Sequence, residues 1–297
     1  MPFREVKKGE KPKIVDKSKP SAHDLEPPTK QGLYLSSPAI LSLGFLALIV
    51  MGTVLLSLPI ATIQPISILA AAFTATSAVT VTGLNVVDTA NYTTFGQLVI
   101  AALIQFGGLG FMTFAILVLT SLQGKMGLSG SITAQEALGT HSNQIGSTAK
   151  AVIKIAFITE SLGFLGLTLL LAPLKGLKDA MYEAFFLCIS AFNNAGFALN
   201  GNNMTAYVHQ PMISFIISLL IITGGIGFFV ILDIIKHKRW QKFTLHTKVM
   251  VLGTLALNII GCILYWLLER HNAKTIGGLS EAGQWFASWF MAVTSRT

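Results

Sequence analysis

Thr80-Val81-Thr82-Gly83-Leu84 and Asn193-Asn194-Ala195-Gly196-Phe197 are two short glycine loops, each placed after a short apolar segment. Neither contains an acid, so the chemistry on offer is that of main-chain carbonyls. Glycine accepts positive φ and lets the backbone come close to a ligand, and carbonyl oxygens so presented can replace the hydration shell of an ion. Thr80, Thr82, Asn193 and Asn194 are able to hydrogen-bond behind the loops and hold the carbonyls inward. The absence of carboxylates favours a monovalent cation over calcium or magnesium, which prefer acidic oxygen ligands. A glycine after a helix is also an ordinary C-cap, so the weight rests on the duplication.

The elements that carry the loops repeat. Residues 66–79 and 181–192 are apolar but too short for a crossing, which needs roughly 20 residues. They are expected to enter a membrane part-way, turn at the loop and return. Irregular backbone at that depth is tolerated only where protein or a water-filled cavity surrounds it. Full-length apolar segments flank them: 38–58, ended by Pro59, and 95–122 around the first; 151–171, ended by Pro173, and 211–235 around the second. Residues 201–211 read as an exposed polar connection. Gly83 and Gly196 lie 113 residues apart, and the Gly-Gly-x-Gly-Phe runs starting at Gly107 and Gly224 lie 117 apart. Phe73, Ser77 and Ala78 match Phe186, Ser190 and Ala191 at the first offset, the signature of an internal repeat. A third copy begins with a span at 249–268 and a half-length helix at 284–293, and reaches its loop position at Thr294-Ser295-Arg296-Thr297.

Composition sets the solvent. Of 297 residues, 52% are hydrophobic and 11% charged, against about 25% charged in soluble domains. The expected class is an all-α polytopic membrane protein. The net charge of +8 sits in the tail and between the apolar segments, which suits an anionic cytoplasmic leaflet and gives no reason to expect a nucleic-acid partner. Lys125, Lys150, Lys236, Lys238, Arg239, Lys242 and Lys248 place their connections in the cytoplasm by the positive-inside rule. The N-terminus is then cytoplasmic too, and each glycine loop enters from outside. The first apolar segment follows a long polar tail, so it reads as a retained helix rather than a secretory signal.

The expected organisation is a disordered cytoplasmic tail at 1–36, a first pore repeat at 37–122 and a cytoplasmic connection at 123–150. A second pore repeat follows at 151–235, a second connection at 236–248 and a partial third repeat at 249–297. Each unit holds two crossings and one hairpin, so successive units run parallel. That differs from the opposed units of inverted-repeat transporters and brings the loops together on a central path. The half-helices add the partial negative charge of their C-termini, which favours a cation.

At 73–88, 105–114, 190–199, 223–228, 243–248 and 292–297 the chain resembles the Trk/Ktr/HKT superfamily of potassium transporters, and within it the bacterial Ktr membrane subunits. The resemblance covers nearly everything after residue 36. It implies four tandem helix–re-entrant pore loop–helix repeats around a pseudo-fourfold pore, of which two and a half are present here. That reading makes the chain a C-terminally truncated form, lacking the third filter glycine and the fourth repeat. The resemblance assigns Gly83 and Gly196 as filter glycines, with the carbonyls of Thr80, Val81, Thr82, Asn193, Asn194 and Ala195 facing K+. Arg296 and Thr297 match the third loop, where a cation near the filter would limit occupancy. It further implies uptake of K+ with Na+ dependence, a bacterial plasma-membrane location, a homodimer, and a cytosolic nucleotide-binding ring subunit docked on Lys125, Lys236, Lys238, Arg239 and Lys242.

Other residues carry less. Glu160 lies mid-span and reads as structural rather than ion-binding, although intramembrane acids are often functional. Asp233 reads as an interface marker. Cys188 and Cys262 read as packing residues, and His141, His209, His237, His246 and His271 as surface groups. The Gly-Gly-x-Gly runs lack phosphate-loop spacing and read as close helix packing. No nucleophile–base constellation points to an enzyme. Two alternatives stay open: a secondary transporter of a small solute with broken helices near Gly107 and Gly224, and a non-transporting scaffold.

Overall fold

The computed structural model describes residues 37–110 and 145–296. Among them are the helices α1 (Ser37–Leu56), α2 (Ile68–Val79), α3 (Thr94–Gly108), α4 (Ile145–Lys175), α5 (Leu177–Phe192), α6 (Pro211–Gly225), α7 (Phe228–His237), α8 (Leu245–Glu269) and α9 (Glu281–Arg296). Among the described residues the β pairing is one isolated bridge, Thr62 with Tyr92. By length and composition, Lys150–Lys175 and α8 can cross a membrane, and α6 with α7 forms a third, bent candidate. Phe157, Leu162 and Leu169 on α4 and Leu257, Ile260 and Leu268 on α8 are exposed, as lipid-facing side chains must be.

Small residues let α2 sit deep. Ala71, Ala75 and Ala78 are fully buried, and the Ser67 hydroxyl accepts from Ala70 N at 3.2 Å to cap the start. Thr93 caps α3 in the same way and also donates to Ile60 O at 2.6 Å, which ties α3 to the end of α1. Two apolar clusters result. One joins α4, α5, α6 and Val293 of α9; the other joins α1, α2 and α3 with Phe186, Ile189, Ala195 and Phe197. The second glycine loop is therefore core material for the first three helices.

Several boundaries differ from the sequence reading. α3 stops at Gly108, just before Gly110 at φ +77°, and the rest of the expected span 95–122 lies outside the described residues. Residues 111–144, with Lys125, His141 and most of the first connection, lie outside the described residues, as do the tail at 1–36 and Thr297. The expected span 211–235 is broken: Gly227 takes φ +96°, and α7 leaves the axis of α6 at 95°. Pro173 does not end its helix. The helix continues through it to Lys175, and α4 stops at Gly176, whose φ is +82°. The connection at 201–211 is not wholly exposed, since it folds a 3-10 turn that buries Tyr207. Residues 294–296 are helical rather than a loop, because Thr294 and Ser295 return their hydroxyls to the carbonyls of Phe290, Met291 and Ala292.

Candidate functional site

α2 and α5 end by the same hydrogen bonds. Val81 N donates to Ala78 O at 3.3 Å and Thr82 N to Ser77 O at 2.9 Å; Asn194 N donates to Ala191 O at 3.1 Å and Ala195 N to Ser190 O at 2.7 Å. This pair of bonds is a Schellman motif, which needs a left-handed residue just past the cap. Val81 and Asn194 supply it at φ 56° and 59°. Asparagine accepts that region readily, whereas a β-branched valine is strained there, and such strain concentrates at functional sites. Gly83 and Gly196 then turn the chain again at φ +79° and +72°.

The two loops touch. A Cβ on Gly83 would fall 2.5 Å from Ala195 O, and one on Gly196 would fall 3.6 Å from the Cα of Gly83. Among the described residues, no donor reaches the carbonyls of Thr80, Val81, Thr82, Asn193, Asn194 or Ala195, while Gly196 O accepts from Asn203 Nδ2 at 3.3 Å and Phe197 O from Ser190 Oγ at 2.6 Å. Two adjoining loops thus carry six main-chain acceptors free to serve an ion or water. A cavity of about 660 Å³ opens beside them, bordered by Thr82, Gly83, Asn194, Gly196, Tyr265 and Thr294.

Side chains brace the loops from behind. Thr80 Oγ1 donates to Thr76 O at 2.8 Å and lies 2.6 Å from Thr82 Oγ1. Asn193 Nδ2 donates to Ile189 O at 2.9 Å and to Gln105 Oε1 at 2.7 Å. The Asn194 amide, oriented to satisfy its neighbours, donates to Ile221 O at 3.0 Å and accepts from Gly225 N at 3.2 Å. The glycine runs make the approach possible: a Cβ on Gly107 would lie 2.0 Å from Val79 O, and one on Gly224 only 1.6 Å from Phe192 O. Val79 and Phe192 are the last residues of α2 and α5. Close packing thus accounts for the first glycine of each run, and chain reversal for the last.

The remaining sequence-named residues are spread out. Arg296 ends α9 with Nε and Nη2 buried and without a hydrogen-bond partner among the described residues. Lys236, Lys238, Arg239 and Lys242 are exposed around the α7–α8 turn, where Trp240 stacks edge-on to Phe243 at 5.7 Å. Asp233 is more than a marker: it accepts from Thr244 N and Oγ1 at 2.9 and 3.0 Å and lies 2.6 Å from His237 Nδ1, fastening α7 to the start of α8. Glu160 accepts from Gln105 Nε2 at 2.9 and 3.1 Å.

A second polar cluster had no place in the sequence reading. Glu183, buried on α5, accepts from Lys175 Nζ at 2.6 Å, from Asn200 Nδ2 at 2.7 Å and from the Tyr207 hydroxyl. Burial and the Glu183 carboxylate raise the Tyr207 phenol above its usual range. Lys175 also sits 5.3 Å from the centre of the Tyr207 ring. The signal available was an acid inside an apolar half-helix, which is costly unless paired; Gln105, a lone amide in an apolar run, was a similar clue.

A family model described as TrkH, cation transport protein, matches residues 36–297. The chain is 46% identical to the Ktr system potassium uptake protein B of Bacillus subtilis over 263 residues, covering 88% of this chain and 59% of that protein. It is 41% identical over 266 residues to the protein of the same name from Vibrio alginolyticus, covering 88% and 58%. It is 36% identical over 269 residues to the potassium/sodium uptake protein NtpJ of Enterococcus hirae, covering 89% and 59%. The chain spans about three fifths of the length of these relatives.

Proposed function

This chain belongs to the TrkH family of cation transport proteins, transporters rather than enzymes, and we propose that it contributes two filter loops to a K+ uptake path. The observation that carries the proposal is the set of unpaired carbonyls of Thr80, Val81, Thr82, Asn193, Asn194 and Ala195, gathered where Gly83 meets Gly196. K+ replaces its water with those oxygens, and the lack of carboxylates in the loops leaves selection to their spacing. The helix ends of α2 and α5 add partial negative charge at the same place. In this reading 37–122, 151–235 and 249–297 are successive parallel repeats, α2 and α5 are re-entrant, and Arg296 and Thr297 belong to a third loop position. The 236–248 connection faces the cytoplasm of a bacterial cell, with the N-terminus on the same side. Its exposed Lys236, Lys238, Arg239 and Lys242 offer a docking surface to a cytosolic nucleotide-binding ring subunit, beneath a dimer of membrane chains whose uptake depends on Na+.

The test is uptake of K+ and Na+ by K+-depleted cells that rely on this protein as its own gene makes it. Gly83→Ser is expected to lower the K+/Na+ uptake ratio at least tenfold, because its side chain enters at 2.5 Å from Ala195 O and a positive φ disfavours any side chain; a tenfold loss is about 1.4 kcal/mol of discrimination. An unchanged ratio removes Gly83 from the filter.

A further inference from the structure

We propose that Glu160 is a positioning residue for the second loop, acting through Gln105 on Asn193; the proposal rests on the reading of the two loops as a K+ filter. Three separate elements build the relay. Glu160 comes from the middle of α4, Gln105 from the last turn of α3, and Asn193 caps the C-terminus of α5. Both Glu160 oxygens lie within hydrogen-bond distance of Gln105 Nε2, at 2.9 and 3.1 Å, and Gln105 Oε1 lies 2.7 Å from Asn193 Nδ2.

The direction of these bonds is fixed from one end. A carboxylate only accepts, so Gln105 turns its amino group toward Glu160, which leaves its carbonyl toward Asn193. Asn193 must then donate, and its Nδ2 does so to Gln105 and to Ile189 O at 2.9 Å. Its own carbonyl oxygen points at Gly108, where a Cβ would fall 2.1 Å away. A reversed Gln105 amide would set two amino groups against each other and release the Asn193 side chain. Asn193 is 9% exposed, so no water replaces the lost partner freely, and the loop carbonyls that begin at Asn193 would shift with it. Among the described residues, the corresponding residue of the first loop, Thr80, is braced by Thr76 and Thr82 and by no side chain of another helix. The relay therefore acts on one loop and not the other.

The relay can be moved by one residue without losing its sense. In Glu160→Gln the carboxylate is gone, and either amide orientation satisfies position 160. In the double variant Glu160→Gln, Gln105→Glu the carboxylate at position 105 accepts from both sides, so Asn193 is again compelled to donate. The experiment is the K+/Na+ uptake ratio of the protein as its gene makes it, with the two variants and Gly83→Ser measured together. The expected result is a fall of about fivefold for Glu160→Gln, the worth of roughly one hydrogen bond, and recovery of most of that loss in the double variant. If Gly83→Ser loses selectivity while Glu160→Gln keeps it, or if the double variant is as unselective as the single, the relay is refuted and the filter reading stands. If Gly83→Ser itself keeps the ratio, both fall. Should Glu160→Gln fail to assemble, the double variant decides: selective supports the relay, unselective refutes it.

Discussion

Gly224→Ala is expected to yield no assembled protein in detergent extracts. The added Cβ would sit 1.6 Å from Phe192 O, a main-chain atom that cannot turn away as a side-chain tip can. Phe192 is the last residue of α5, so relief requires either withdrawing α5 or unwinding the last turn of α6. Overpacking in ordinary cores costs about 1–3 kcal/mol, and a clash with a main-chain oxygen at this distance falls at or beyond the top of that range. Gly107→Ala meets Val79 O at 2.0 Å and should behave alike. Size-exclusion profiles of the extracted variants check this, with Gly253→Ala as control, since nothing lies within 4 Å of its added Cβ. A normal peak for Gly224→Ala would mean that α5 and α6 approach less closely than described.

Lys175→Met is expected to lower thermal stability by about 5 °C, corresponding to about 2 kcal/mol for a chain of this size. Breaking a buried ion pair costs about 3–5 kcal/mol because a charge is left behind. The figure here is smaller because the Lys175 side chain is 33% exposed and its charge is partly screened, though Glu183 is 7% exposed. Tyr207 and Asn200 would still donate to Glu183, but neither neutralises it. The double variant Lys175→Met, Glu183→Gln should recover most of the loss, which separates the stranded charge from the lost packing of the lysine stem. Unchanged melting of the single variant would show that Tyr207 and Asn200 suffice.

The short apolar segments before each glycine were legible in the sequence because length against membrane thickness is a one-dimensional property. The ends of α2 and α5 both fall where the polar loop residues begin. The breaks after Gly108 and Gly225 entered the sequence reading only through the alternative of broken helices near Gly107 and Gly224, since the apolar pattern runs on unchanged through both. What breaks the chain is the sign of φ at Gly110 and Gly227, and a glycine in an apolar run is as compatible with close packing as with reversal. The loop carbonyls proposed to face K+ were assigned through the family resemblance, on loops that the sequence itself marked out by their glycines. Their bracing by Gln105 was hidden, because residue 105 meets residue 193 only once two distant helices are packed together. The strain at Val81 was equally silent, for valine is the last residue a turn rule would place at positive φ. Glu183 was passed over because an acid near a helix start resembles an exposed first-turn residue until Lys175 and Tyr207 fold over it.

The placement of Ala195 and Phe197 inside the cluster of α1, α2 and α3 imposes an order on biosynthesis. A ribosome releases α1 to α3 long before it reaches residue 197, and at about 5–20 residues per second the interval lasts several seconds. For that time α1, α2 and α3 are without the contacts that Phe186, Ile189, Ala195 and Phe197 make with them in the finished chain. Insertion of the second loop supplies those contacts to the first cluster, while the other cluster still awaits α6 and Val293. Until Phe197 is delivered, the first three helices lack part of the apolar surface they pack against in the finished chain.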